Sequence, residues 1–144
     1  MKLDEIDFKI LEILRMDART PFTEVGKTLG IADSTVHHRM KNMVNEGIVK
    51  RYTIEVDDEI LGKISCFLRI NVDPGHLEAV VGELIKYSEV DEVFETHGPC
   101  NIIAKTSAEN LNKIRSLILK IRKLPNIAQT EMITILKKWN KLDK

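Results

Sequence analysis

The chain has only two cysteines, Cys66 and Cys100. They form neither the close pair of a metal or redox motif nor the dense framework of a disulfide scaffold, so both read as reduced thiols and nothing in the sequence supports a disulfide. Aromatic residues make up 5% of the chain, too few for the stacking platforms on which single-stranded nucleic acid is held. Charge is balanced, 22 basic against 22 acidic side chains. That balance excludes a strong nonspecific pull on polyanions but not a local basic face. A long apolar run is also missing, so neither a transmembrane helix nor a secretory leader is expected, and a cytoplasmic location without a membrane partner follows. What remains is 144 residues with 43% hydrophobic content, enough for one globular domain or two small ones.

Constellations for catalysis or metal binding are equally sparse. Asp57, Asp58 and Glu59 form an acidic run without a second ligand set, which reads as a solvated linker. His37 and His38 are adjacent, so on a helix their side chains diverge by about 100° and cannot easily share a metal. His76 and His97 stand alone, and His97 near Cys100 lacks the third orienting group of a nucleophile and base pair. No catalytic residue, no metal and no cofactor is expected, and the chain reads as a non-enzyme.

The informative stretch runs from Thr20 to Tyr52. Phe22, Val25 and Leu29 share a helical face, Pro21 suits the first turn before them, and Gly30 ends the segment with the residue best able to take positive φ. Gly26 allows close approach of the helices. Three residues after Gly30 the pattern restarts, with Val36, Met40, Met43 and Val44 as a second apolar stripe. Two short amphipathic helices joined by a Gly-containing turn make a helix-turn-helix. Beyond Gly47 the period changes to alternation over Ile48–Val56, which predicts a strand, the candidate wing of the motif. A preceding helix is expected from Leu3, Ile6, Ile10, Ile13 and Leu14, with Asp4, Glu5 and Asp7 in its first turn, where the helix dipole favours negative charge.

The second helix of the pair leaves Ser34, Thr35, His37, His38, Lys41 and Asn42 off its apolar stripe. Short hydrogen-bonding groups near the N-terminus with a cation one turn on suit base edges in a major groove, while Arg39, Lys41, Lys50 and Arg51 suit phosphates. These nine positions are the candidate DNA-binding residues, and double-stranded DNA is the expected partner.

After a polar hinge at residues 57–63 the texture changes. Ile64, Cys66, Leu68, Ile70 and Val72 alternate as a strand; Leu77, Val80, Val81, Leu84 and Ile85 mark a helix; Val90–His97 and Asn101–Lys105 read as two more strands. Ser107 is a candidate cap for a helix carrying Leu111, Ile114, Leu117, Ile118 and Ile121, and Ile127–Leu136 alternates as a fourth strand. The order β-α-β-β-α-β predicts a ferredoxin-like antiparallel sheet with two helices on one face. Phe67, Arg69, Phe94, Ile103, Ile133 and Ile135 are candidates for pairing the other face with a second copy. The fold class is therefore α+β, with a winged helix-turn-helix domain over 1–56, a linker over 57–63 and a ferredoxin-like domain over 64–144.

With Ser34 through Met40, then Glu46 to Val49, then a ferredoxin-like module carrying Gly98 before a strand, the chain resembles the Lrp/AsnC transcription regulators over nearly its whole length. The resemblance implies a DNA-binding transcription factor whose C-terminal module mediates homodimerisation, assembles dimers into octamers or other multiples, and binds an amino-acid effector between subunits. It places the effector loop at Gly98, Pro99, Cys100 and Asn101, with Gly98, Cys100 and Asn101 as candidate effector-binding residues. Three departures from the family pattern matter. Ile31 and Ala32 stand where a leucine and a serine are usual, leaving Asp33 to cap the recognition helix; Asn101 replaces an aspartate in the effector loop; and Asn126 replaces a glycine, a mild change because asparagine tolerates positive φ.

Two other readings are open at this stage. In one, the ferredoxin-like domain is the active part, as a metabolite-binding or assembly module, and the N-terminal helices only mediate contacts. In the other, higher assemblies serve a weakly specific, DNA-compacting role.

Overall fold

The structure, a computed structural model, describes residues 2–141. Residues 142–144, included in the C-terminal domain expected over 64–144, lie outside the described residues, as does residue 1. The chain divides into two compact units, the first reaching Glu55 and joined by Lys141, the second running from Val56 to Asn140. No helix of the described residues is long and apolar enough to cross a membrane.

The first unit holds three helices, α1 (Glu5–Met16), α2 (Phe22–Leu29) and α3 (Asp33–Asn45). Asp4 caps α1 in a reciprocal box: its carboxylate accepts from the Asp7 N–H at 2.9 Å, and the Asp7 carboxylate accepts from the Asp4 N–H at 3.0 Å. Two otherwise orphaned donors are satisfied at once. Pro21 precedes α2, and Gly30 closes it in the left-handed region at φ 69°, donating its N–H to the Gly26 carbonyl. Here the expectation for Gly30 is met.

The cap of α3 is not as expected. Asp33 is already the first helical residue and its carboxylate reaches only the neighbouring Ser34 N–H, at 2.8 Å, while Ala32 occupies the cap position and offers no side-chain acceptor. From inside the helix, an aspartate cannot span to the second and third N–H groups that a cap serves.

The core of this unit is Ile10, Leu14, Val25, Val36, Met40 and Met43, all buried. At about 1.5–3 kcal/mol per large side chain removed from water, this cluster is the main force joining the helices. Gly26 is buried at the turn, where an added Cβ would lie 2.7 Å from the Ile31 carbonyl oxygen and 3.3 Å from the Asp33 nitrogen.

The strand expected over Ile48–Val56 does not form within this chain. The N–H groups of Ile48 and Val49 instead bond the Met43 carbonyl and close α3, and residues 50–57 carry no regular structure. Alternation supplies a face but not a ladder, and a lone extended segment has no partner for its backbone groups. Ile54 is accordingly 83% exposed.

The second unit is a four-stranded antiparallel sheet with strand order β2-β3-β1-β4, built from β1 (Ile64–Val72), α4 (Leu77–Leu84), β2 (Val90–Glu95), β3 (Ile102–Ala108), α5 (Leu111–Ile121) and β4 (Ile127–Thr134). This is the ferredoxin-like arrangement. Leu68, Ile70, Val72, Ile102 and Ala104 of the sheet pack with Val80, Leu84, Leu117 and Ile121 of the two helices.

Strand limits differ from the sequence reading at several ends. β2 stops at Glu95 and β4 at Thr134, while β3 runs on through Ser107 to Ala108 because these residues still pair with Ile64 and Ser65 of β1. Ser107 is therefore not a cap: its hydroxyl donates to the Asp91 carboxylate at 3.0 Å, and Asn110 caps α5 by accepting from the Lys113 N–H. Asn126 takes φ 66° and its carbonyl accepts the Asp73 N–H at 2.9 Å, so the tolerance for positive φ expected of this asparagine is used.

On the sheet face away from the helices, Phe67 stands opposite Ile133 and Lys105, and Arg69 opposite Ile103 and Glu131. Phe94 pairs with Ile103. Phe67, Phe94 and Ile133 are 37%, 45% and 43% exposed, so this face carries apolar surface around the Arg69–Glu131 ion pair of 2.7 Å.

Two glycines test the packing in opposite directions. Gly26→Ala is expected to destabilise the first unit by about 1–3 kcal/mol through its backbone clash, in spite of alanine's better helix propensity. Gly82, in α4, has no atom within 4 Å of an added Cβ, so Gly82→Ala should stabilise by up to ~1 kcal/mol. Urea unfolding midpoints of the two variants moving the same way would contradict this account.

Candidate functional site

Taking Ser34 as zero and advancing about 100° per residue, Val36, Met40 and Met43 fall near 180–240° on α3, toward the core. The opposite arc carries Ser34, His38, Lys41 and Asn45 in one line along the helix, at spacings of four, three and four. All four are exposed. Thr35 and Asn42 lie on one flank and are half-buried; His37 lies on the other. The structure thus gathers Ser34, Thr35, His37, His38, Lys41 and Asn42 onto the surface of one helix. Sequence reasoning passed over Asn45, although the spacing that marks an apolar stripe marks this polar one equally well.

Within this face some side chains are already oriented. Nδ2 of Asn42 lies 3.1 Å from Nε2 of His38, one turn apart, so the pair presents a joined hydrogen-bonding edge. The His37 ring meets Phe22 of α2 edge-on, centroids 4.5 Å apart, which ties it to the turn between the helices. Lys41, Lys50 and Arg51 are exposed, and none forms an ion pair with a described residue. Lys50 and Arg51 follow the helix end, on the segment without regular structure.

Arg39 is employed differently from the sequence reading, which gave it to phosphate. Its Nη1 donates to the Asp4 carboxylate at 2.7 Å and to the Asp7 carboxylate at 2.9 Å, and its side chain is only 25% exposed. The angular count explains this: Arg39 sits about 40° from Met43, on the core's edge rather than on the outward line. It faces the acidic first turn of α1 and fixes α3 to that helix. The same pairing raises the guanidinium's pKa, through the Asp7 bond first and Asp4 second.

The expected effector loop is organised by its own side chains. Asn101 uses both ends of its amide on Val72, accepting from that residue's N–H at 2.9 Å and donating to its carbonyl at 2.8 Å. This imitates a strand pair and holds the start of β3 to the end of β1. Cys100 is buried, and the Thr96 hydroxyl donates to its carbonyl at 2.8 Å. Gly98 is exposed at the tip. Among the described residues, no group of three or more His, Cys, Asp or Glu is placed to hold a metal ion.

Comparison with known proteins adds to this geometry. A family described as winged helix-turn-helix DNA-binding matches residues 3–50, and the Lrp/AsnC ligand binding domain matches residues 65–142. The HTH-type transcriptional regulator FL11 of Pyrococcus furiosus is 35% identical over 94% of this chain and 90% of its own length. The HTH-type transcriptional regulator LysM of Sulfurisphaera tokodaii is 33% identical over 95% of this chain and 97% of its own. The structure of E. coli AsnC superposes with a TM-score of 0.82 at 29% identity, covering 96% of this chain and 95% of that one.

The Asp4 carboxyl is held below its ordinary value of 3.8, first by the Asp7 N–H and then by the Arg39 guanidinium. The unfolded chain binds this proton more tightly, so the stabilisation is complete above pH 3.8 and is lost as pH falls through the depressed native value. Asp4→Asn keeps a capping oxygen but loses the charge. It should lower stability at neutral pH, and its denaturation midpoint should converge on the parent's in acid. A difference that persists unchanged at low pH would show that Asp4 acts through its cap alone.

Proposed function

The chain belongs to the Lrp/AsnC family of transcription regulators, and from this membership we propose how its surfaces are used: α3 reads double-stranded DNA, and the second unit joins copies and senses an effector. The observation that carries the first part is the exposed line Ser34, His38, Lys41 and Asn45, set opposite the Val36, Met40 and Met43 core stripe. A recognition helix in the major groove needs donors and acceptors on its outward side, and this line supplies both. Thr35 and Asn42 flank the base-reading edge. Lys50 and Arg51 reach phosphates, which fix register without reading sequence. Arg39 contributes by position, locking the rotation of α3.

Reading a pseudo-palindrome requires two copies related by a two-fold axis, about one DNA turn or a multiple apart. The outer sheet face suits that pairing. Phe67, Phe94, Ile103 and Ile133 supply apolar surface, and Arg69 and Glu131 supply opposite charges that a two-fold axis repeats on the facing copy. In this proposal residues 1–56 read DNA, 57–63 link, and the domain beginning at 64 assembles. The effector is a small amino acid held at the loop of Gly98, Cys100 and Asn101. Asn101, committed to Val72, shapes the loop, so the contacts come from the backbone around exposed Gly98. The exposure of the α3 line favours this reading over one in which the second unit alone is active.

The test is binding to a duplex selected from a random-sequence pool, followed by anisotropy across salt concentrations. Lys50→Ala should weaken all duplexes alike and lower the salt slope by about 1. His38→Ala should cost about 1–3 kcal/mol on the selected duplex and little on a scrambled one. Indifference of the parent protein to every duplex, or equal losses on both duplexes with His38→Ala, would overturn the assignment.

A further inference from the structure

One end of the second unit holds a polar groove of about 340 Å³, between α5, the start of β2 and the end of β3. From α5 it takes Lys113, Ser116 and Lys120, which at spacings of three and four lie in one line along the helix. The other walls are Ser88 and Glu89 before β2, Ser107 in β3, Glu109 just beyond it, and Lys63 immediately before β1. Among the described residues, Ala108 is the only apolar member of the lining. The register of β2 on β3 shifts between Val90 and Glu92, which leaves Asp91 out of the ladder, its carboxylate accepting from the buried Ser107 hydroxyl at 3.0 Å. Such a shift re-aims side chains and interrupts pairing beside a site. The loop of Gly98 lies at the opposite end of the same two strands, roughly 20 Å away at ~3.3 Å per residue.

The donors and acceptors left over in the groove define what fits it. Ser107 has spent its proton on Asp91, and Ser88 has spent its own on Glu89 at 3.1 Å, so both hydroxyls offer only lone pairs. Glu89 and Glu109 are acceptors as well. The unspent donors are Lys63 and Lys120, which form no ion pair with a described residue, and the exposed Ser116 hydroxyl. Lys113 is held by Glu109 at 2.7 Å, in an exposed pair too weak to exclude a ligand. We propose that this groove binds a phosphate monoester of a small polyhydroxylated alcohol, a sugar phosphate in chemical class. Lys63, Lys120 and Ser116 take the phosphate, whose charge of about −1.5 to −2 at neutral pH matches the two free ammonium groups. The ligand's hydroxyls donate to Ser88, Ser107 and the two carboxylates. A simple anion uses the donors and leaves the acceptors unmatched; an uncharged sugar does the reverse. The size of the groove lies in the range of small-molecule sites, which favours a metabolite over a polymer.

Titration calorimetry of the full-length chain tests it, with ribose 5-phosphate, inorganic phosphate and ribose as probes. Ribose 5-phosphate should bind with millimolar affinity or tighter, inorganic phosphate roughly tenfold more weakly, and ribose not measurably. Lys63→Gln with Lys120→Gln, both at exposed positions, should weaken ribose 5-phosphate by roughly tenfold or more. Glu89→Ala should narrow the gap between ribose 5-phosphate and inorganic phosphate. Arg115→Gln, on the same helix but outside the groove, should change nothing. No binding of ribose 5-phosphate, equal affinity for inorganic phosphate, or a loss with Arg115→Gln as large as that of the double variant would overturn the proposal. So would a double variant that binds ribose 5-phosphate like the parent but has lost nonspecific duplex affinity, an outcome that assigns these lysines to the DNA backbone. None of these readouts depends on whether α3 reads DNA.

Discussion

Asp7 is a carboxylate only 2% exposed, and the bonds that keep it satisfied tie α3 to α1. A carboxylate left unpaired in such surroundings costs about 3–5 kcal/mol. Asp7 avoids that by accepting from the Asp4 N–H with one oxygen and from the Arg39 guanidinium with the other. The guanidinium is planar and charged at any ordinary pH, and its bonds restrict how α3 turns about its own axis against α1. Apolar packing of Val36, Met40 and Met43 constrains the same rotation, but methionine is adaptable and slides readily. The ion pair is directional where the apolar contact is not. Through it, a buried acid in the first helix sets which side chains of the third helix face outward.

The turn between α2 and α3 imposes a second constraint of the same kind. Gly26 accepts from the N–H groups of both Gly30 and Ile31 while its missing side chain leaves room for the Ile31 carbonyl. The two helices are therefore joined by backbone bonds at a distance no side chain would permit, and the polar line of α3 begins immediately beyond. In the second unit the equivalent role falls to Asn101, whose amide completes the ladder where β3 begins. Each device converts a local residue choice into the position of a surface: a helix face in one unit, a loop in the other.

Much of this was legible beforehand, and the failures share a cause. The helices of the first unit, the β-α-β-β-α-β order, the left-handed Gly30 and Asn126, and the outward facing of Phe67, Arg69, Phe94 and Ile103 all follow from periodicity and φ preference, which are local. The Ile48–Val56 strand was misread because alternation records a face and says nothing of a ladder partner. Ser107 and Asp33 were misread as caps because a hydroxyl or carboxylate near a helix start suits several positions within two or three residues. Arg39 has its partners, Asp4 and Asp7, more than thirty residues away, so no local pattern shows the pairing. Its angle on the helix was a usable signal, since it lies beside the apolar stripe and not across from it. The bonds of Asn101 to Val72, 29 residues back, are long-range in the same way and leave no local pattern.

Zero net charge takes on a definite meaning once these partners are known. With no excess charge, attraction to a polyanion must act within a Debye length of roughly 8–10 Å, so only cations without an acidic neighbour contribute. Arg39 is removed from that set by Asp4 and Asp7, leaving Lys41, Lys50 and Arg51 on and beyond α3. On the proposed reading of DNA by α3, a surface so sparsely charged would bind nonspecific duplex weakly, and discrimination would rest on the hydrogen-bonding edge of Ser34, His38, Asn42 and Asn45.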